Sequence, residues 1–263
     1  MSGVTGRGGL PIAAMMPRGW IIGTVSALAL VGGVASLAQP VGARSSVHDA
    51  PVEPVVVELF TAQGCSGCPQ ANRAVEALAE APGVIALTYA VGYWDYLGWE
   101  DTFARPEFEQ RQRAYQAAMR LRNIYTPQVV IDGRQQMSGA EGEAIEAAVE
   151  VEGQRRVLPP EVEFRESGDA VGIGSGRAPA GGAEVWAVAF VPGPQTVTVQ
   201  HGDNRGQQVR HVNVVRRLTL LGEWQGRPIL LDLPEVAGPD ERVAVLVQAT
   251  GDRRILTAAV HQP

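Results

Sequence analysis

Lysine is missing from this chain: all 22 basic residues are arginine. Without lysine there is no Schiff-base amine and no phosphate-loop lysine. Histidine is scarce too. His48, His201, His211 and His261 stand at no ligand spacing to the cysteines, which counts against a four-ligand zinc site. Basic residues are outnumbered by 28 acids, for a net charge of −6, so no basic patch invites a nucleic-acid partner. Neither a G-x-S-x-G elbow nor a Walker loop is present. No internal repeat or low-complexity segment occurs. Only one long apolar run exists, and it lies at the amino terminus.

Cysteine is nearly absent as well, and its two copies, Cys65 and Cys68, form a C-x-x-C pair within Glu58-Leu59-Phe60-Thr61-Ala62-Gln63-Gly64-Cys65-Ser66-Gly67-Cys68-Pro69. A disulfide at this spacing closes almost no loop, so it stabilises little. Redox chemistry is the better use of the two thiols. A soft ion such as Cu(I), which accepts two thiolates, is the rival use, with Cys65 and Cys68 as ligands. A helix starting near Cys65 would favour a thiolate there through its free N–H groups. On that reading Cys65, at the exposed end, attacks and Cys68, one turn in, resolves. Pro69 suits a first turn.

The amino terminus reads as a targeting segment. Arg7 and Arg18 precede a mostly apolar run from Trp20 to Leu37, followed by cleavage-like small residues near Ala38 and Ala43. Residues 1–43 are expected to be a signal peptide or an uncleaved anchor. The body would then lie outside the cytoplasm, periplasmic or secreted, where disulfides persist. Residues 44–53 read as a linker.

Val55 to Phe60 is expected to be a central strand, apolar on both faces except for Glu58. A buried acid needs a partner or a task; Glu58 is a candidate proton acceptor for Cys68, against the alternative of a solvent-facing side chain. Helix is expected from Ala71 to Ala81 and strand from Val84 to Val91. Four aromatics crowd Tyr93-Trp94-Asp95-Tyr96-Leu97-Gly98-Trp99. Tyr93 and Trp94 are candidate substrate contacts, with a satellite hydrophobic cluster as the alternative. Asp101 or Thr102 is expected to cap a helix from Pro106 to Arg122, with Phe108, Tyr115 and Leu121 facing the core and the arginines and glutamines solvated. Thr126-Pro127 opens an apolar strand that turns at Asp132-Gly133. An acidic helix follows from Gly139 to Arg156.

This order resembles the thioredoxin fold. The sequence is similar to an exported bacterial thioredoxin-like family of unassigned function, through Glu58-Leu59-Phe60-Thr61, Gln63-Gly64-Cys65-Ser66, Cys68-Pro69, the Tyr93–Trp99 motif, Tyr125-Thr126-Pro127-Gln128 and Asp203-Asn204-Arg205-Gly206. The resemblance implies Cys65 as nucleophile, Cys68 as resolver and Pro127, in a cis bond, as the contact beside the dithiol, with Thr126 next to it. It departs from the pattern at Ala90 and Gly92, where polar residues are expected, and at Gly64, where thioredoxins carry tryptophan.

After Val157 the rhythm changes to short alternating strands with Gly- and Pro-rich turns. The expected fold is therefore an α/β thioredoxin-like domain over 54–157 followed by an all-β antiparallel sandwich-like domain over 158–263. His201–Gly206 reads as a hairpin tip. The expected function is an exported thiol–disulfide oxidoreductase needing no cofactor, acting on exported protein or small-molecule thiols and disulfides. It would touch a membrane only through an uncleaved N-terminal segment. The alternatives are copper delivery and a non-catalytic interaction domain.

Overall fold

The computed structural model describes residues 53–155, 158–233 and 240–261. The expected signal or anchor over 1–43, and most of the linker, lie outside the described residues. Among the described residues no helix is long and apolar enough to cross a membrane.

Strand β1, Val55–Thr61, is buried along its whole length. Its β-branched run suits a strand covered on both faces. Helix α1, Cys68–Ala79, follows, then β2, Val84–Ala90, parallel to β1. A one-turn 3-10 helix, Asp95–Leu97, leads to α2, Pro106–Ala118. Strands β3, Gln128–Ile131, and β4, Gln135–Ser138, form a hairpin whose turn residues Asp132 and Gly133 both have positive φ. Helix α3, Gly142–Gly153, ends this half. The rest is strands β5 (Val162–Phe164), β6 (Ala170–Ile173), β7 (Ala183–Thr198), β8 (Gln208–Trp224), β9 (Ile229–Asp232), β10 (Arg242–Ala249) and β11 (Ile255–Val260).

The separate antiparallel sandwich expected after residue 158 is corrected. Strands β7, β8, β10 and β11 extend the first sheet, giving one mixed eight-stranded sheet ordered β11-β10-β7-β8-β2-β1-β3-β4. Only β5, β6 and β9 stand apart, as a small antiparallel sheet. Alternating apolar residues specify a strand but not its neighbour, and here β8 joins β2 in parallel around Thr88 and Val214. The Thr88 hydroxyl donates to the Val212 carbonyl at 2.6 Å and fastens that seam. Where short strands were expected, β7 runs unbroken from Ala183 to Thr198 as one bent strand. Pro192 and Pro194 fit because the register slips there and the Gly193 N–H bonds the Asn213 side chain instead of the ladder.

One core lies between the sheet and α2, built from Val56, Phe60, Leu87, Phe108, Tyr115, Val188 and Leu246. The opposite face is covered by α1 and α3 at one end and by the small sheet at the other, where Trp224 is fully buried. Helix α2 also corrects the sequence reading. It begins after Arg105 with no side-chain cap, and it buries Arg111 and Gln112 with Phe108 and Tyr115.

Arg111 is buried because Glu58 is. Its Nε donates to Glu58 Oε1 at 2.6 Å, and Tyr115 donates its hydroxyl to Oε2. Gln248 of β10 accepts from Arg111 at 3.2 Å and donates to the Tyr115 oxygen at 2.8 Å. Burial alone would lower the arginine's pKa; the Glu58 carboxylate, together with Tyr115 and Tyr89, more than offsets it, and the guanidinium stays charged.

His211 of β8 is a second buried polar group. It is 1% exposed and edge-on to the Phe103 ring at 5.5 Å, and among the described residues neither ring nitrogen has a hydrogen-bond partner of good geometry. Burial pulls its pKa from 6.5 down to about 4. Asp101 and Asp132 run the other way, each raised from 3.8 to about 6 by burial.

Two predictions follow from these groups. Replacing Arg111 by Leu strands the Glu58 carboxylate and should cost about 3–5 kcal/mol, read as a lower urea midpoint. Replacing Glu58 and Arg111 together by Leu should recover most of that loss; an equal loss in single and double variants would refute the pairing. For His211, the unfolded state binds the proton first, so stability is lost as pH falls from about 6.5 towards 4. The two aspartates gain stability over the same fall, so only a difference isolates the histidine. Relative to wild type, His211→Leu should gain on the order of 3 kcal/mol between pH 7 and pH 4. Parallel melting curves across that range would overturn the assignment.

Candidate functional site

The turn between β1 and α1 holds the two cysteines, joined here as a disulfide. The helix starts at Cys68, not near Cys65, with Gly67 as its N-cap and Pro69 in its first turn. Cys68 therefore sits at the positive end of α1, while Cys65 lies in the turn ahead of it. The expectation of an exposed Cys65 is corrected as well. Cys65 is 2% exposed and Cys68 0%, whereas Ser66 and Gly67 between them are exposed.

Pro127 is buried and opens β3 behind a cis Thr126–Pro127 bond. A β-carbon placed on Gly67 would lie 3.6 Å from Pro127 Cδ, so the proline packs on the turn between the sulfurs. Gly139 backs it: a β-carbon there would overlap Pro127 and Ala71. Thr126 accepts from the Trp94 indole at 2.6 Å, and Trp94 Cβ comes within 3.6 Å of a β-carbon built on Gly64. Trp94 is thus a wall of the site. Tyr93 is half-buried beside the same core, and its hydroxyl has no hydrogen-bond partner among the described residues.

The carboxylate of Glu58, a candidate proton acceptor for Cys68, is engaged elsewhere. Its oxygens are bound by Arg111 and Tyr115, because an arginine on α2 reaches it.

Several residues not expected as site residues hold the turn in place. Asp101, expected as a helix cap, instead accepts the Gln63 backbone N–H at 2.6 Å and the Phe103 N–H at 2.9 Å. These bonds favour its ionised form, yet burial outweighs them and its pKa rises to about 6. The Gln63 side chain donates to Thr102 at 2.9 Å and accepts from the Trp99 indole at 2.8 Å. From the far half of the chain, Asn204 donates to the carbonyls of Gln63 and Cys65, each at 2.8 Å. Asn72 of α1 accepts from Thr61 at 2.8 Å and donates to the Arg210 carbonyl at 2.9 Å. Gln63, Trp99 and Asn204 sit inside the motifs already noted; Asn72 and Asp101 carried no sequence signal for the site.

The arrangement presents a disulfide at a helix start, with exposed Ser66 and Gly67 as the approach. Among the described residues no group of three or more His, Cys, Asp or Glu side chains converges to hold a metal.

Comparison with known proteins adds a family. The family described as "Protein of unknown function (DUF1223)" matches residues 56–248, from β1 into β10. No curated protein matches. The X-ray crystal structure of a protein from Agrobacterium tumefaciens is similar, with 32% identity over 78% of this chain and 92% of that one, at a TM-score of 0.65. With its match running through the disulfide turn and both halves of the large sheet, the chain belongs to the DUF1223 family of unknown function.

Proposed function

We propose that this protein is an exported thiol–disulfide oxidoreductase working through Cys65 and Cys68. The observation that carries the reading is the Cys65–Cys68 disulfide at the start of α1 with Pro127 packed against Gly67. Its setting supports a thioredoxin-like assignment for the first half. Strand β1 lies between parallel β2 and antiparallel β3, β4 pairs with β3, and helices cover both faces. The apolar run at Trp20–Leu37 supports export.

The chemistry is an exchange of bonds. In the reduced protein the Cys65 thiolate attacks one sulfur of a substrate disulfide. A Cys65–substrate bond forms and the second substrate sulfur leaves as a thiolate. Cys68, deprotonated, then attacks the Cys65 sulfur, forming the intramolecular disulfide seen here and releasing the first substrate sulfur. Two electrons pass to the substrate; run backwards, the same steps oxidise a dithiol. The free N–H groups at the start of α1 stabilise a thiolate in the turn. No cofactor takes part in either direction, and the partners are thiols or disulfides of exported proteins or small molecules.

Trapping tests this. Reduced Cys68→Ser protein mixed with oxidised glutathione should accumulate a mixed disulfide at Cys65, seen by intact mass. Wild type should pass through it to the internal disulfide, and Cys65→Ser should take up no more than background. Absence of any adduct in folded Cys68→Ser protein would count decisively against the reading.

A further inference from the structure

Cys65 poses a problem for exchange chemistry, since a sulfur in a residue 2% exposed offers little to attack. The tip of the β7–β8 hairpin, on the opposite half of the chain, is bonded to the Cys65 and Gln63 carbonyls and lies against Gly64. We propose that this tip, residues 201–206, is a gate over Cys65, and that Asn204 is its latch. Closed, the gate admits small or extended disulfides past Ser66 and Gly67; a folded protein surface must lift it. The inference rests on the oxidoreductase reading and names the substrates that the closed site accepts.

Three observations carry it. The latch is one side chain. Asn204 is 1% exposed and places both amide hydrogens on the carbonyls of Gln63 and Cys65, while His201, Asp203, Arg205 and Gly206 around it are exposed. The tip is hinged. Gly202 and Gly206 flank the latch with φ of 77° and 79°, the left-handed region that favours glycine. A β-carbon on Gly206 would meet nothing within 4 Å, so glycine there serves conformation and not space. The tip is also separable. Ladder pairing ends at Thr198 and Gln208, Val199 and Gln207 close the hairpin beyond it, and Arg205 N to Gly202 O is internal to the tip. Lifting it therefore breaks the two Asn204 bonds, the bond from Gly206 N to Val199 O at its base and the packing of Gly202 near Leu97, not the sheet.

Asn204 acts through position, by pinning the carbonyl of the attacking cysteine under the tip. Two neutral hydrogen bonds set a closed state favoured by roughly tenfold or more over the open one. Alkylation of Cys65 then samples the open population.

The experiment uses full-length protein in the Cys68→Ser background, reduced, with iodoacetamide as the small probe and a polyethylene-glycol maleimide as the bulky one. Asn204→Ala should speed bulky labelling of Cys65 by roughly tenfold and small-probe labelling by less. Gly206→Ala, which leaves Asn204 and the cysteine turn untouched, should also speed bulky labelling, by a few-fold. Amide hydrogen exchange should rise around residues 63–65 and 199–207 and stay unchanged in α1. If Cys65 labels readily and neither variant alters the rates, the gate falls while the oxidoreductase reading stands. A rise in Asn204→Ala alone overturns the hinge and with it the gate. Exchange rising throughout α1 would mean that Asn204 is merely structural, and also overturns it. If Cys65 is inert in folded wild type and both variants, the oxidoreductase reading itself fails.

Discussion

Glu58 and Arg111 set the terms for this fold. A carboxylate in the middle of a strand buried on both faces costs several kcal/mol unless a charge of opposite sign joins it. Arg111 can do so only if α2 crosses the sheet with its arginine pointing inward. Tyr115 and Gln248 then follow, because the remaining lone pairs and N–H groups must be satisfied where water is excluded. Gln248 belongs to β10, so the same requirement ties the last third of the chain to the first strand. The apolar core could be repacked by similar residues; this polar knot tolerates loss of the whole pair but not of one partner, and it links β1, α2 and β10 through directional bonds.

The disulfide turn is held by a comparable division of labour on a lighter scale. Its backbone is bonded by Asp101 from the loop before α2 and by Asn204 from the hairpin tip, and Pro127 packs on it from β3. No one segment builds the site. Each of these bonds contributes modestly by itself, the one to the Asp101 carboxylate more than the neutral ones, so the turn is specified by their agreement and remains adjustable at each contact. The burial of Cys65 and the exposure of Ser66 and Gly67 beside it are two results of the same packing.

Much of the first half was legible because its signals are local. The strand before the cysteines, the helix after them, the proline opening β3 and the Asp132-Gly133 turn each follow from side-chain shape or backbone freedom at a few adjacent positions. The strands of the second half were legible as strands for the same reason. Their partners were not: β8 meets β2 through Thr88 and Val214, a pairing that alternation cannot announce. Arg111 and Gln112 were misread as solvated because a helix pattern weighs charge without knowing that a buried acid waits opposite. Asp101 looked like a cap since it precedes a helix, yet one of its oxygens accepts the distant Gln63 N–H and the other the local Phe103 N–H, and neither bond is to α2. The polar groups that complete a site are fixed by what tertiary structure leaves unsatisfied, and that sum exists only after folding.

The hairpin tip lies far along the chain from the turn it covers: Asn204 is separated from Cys65 by 139 residues. During synthesis the cysteines leave the ribosome long before Asn204 does. A nascent chain thus carries two bare sulfurs for the whole interval in which β2 to β7 are being made, at a stage when N-terminal segments fold first. Pairing within the C-x-x-C turn is the most local choice open to them, since no other thiol exists in the chain. Having only two cysteines, three apart, makes the order of manufacture harmless: wherever the polypeptide pauses, there is one intramolecular bond to make and no wrong one.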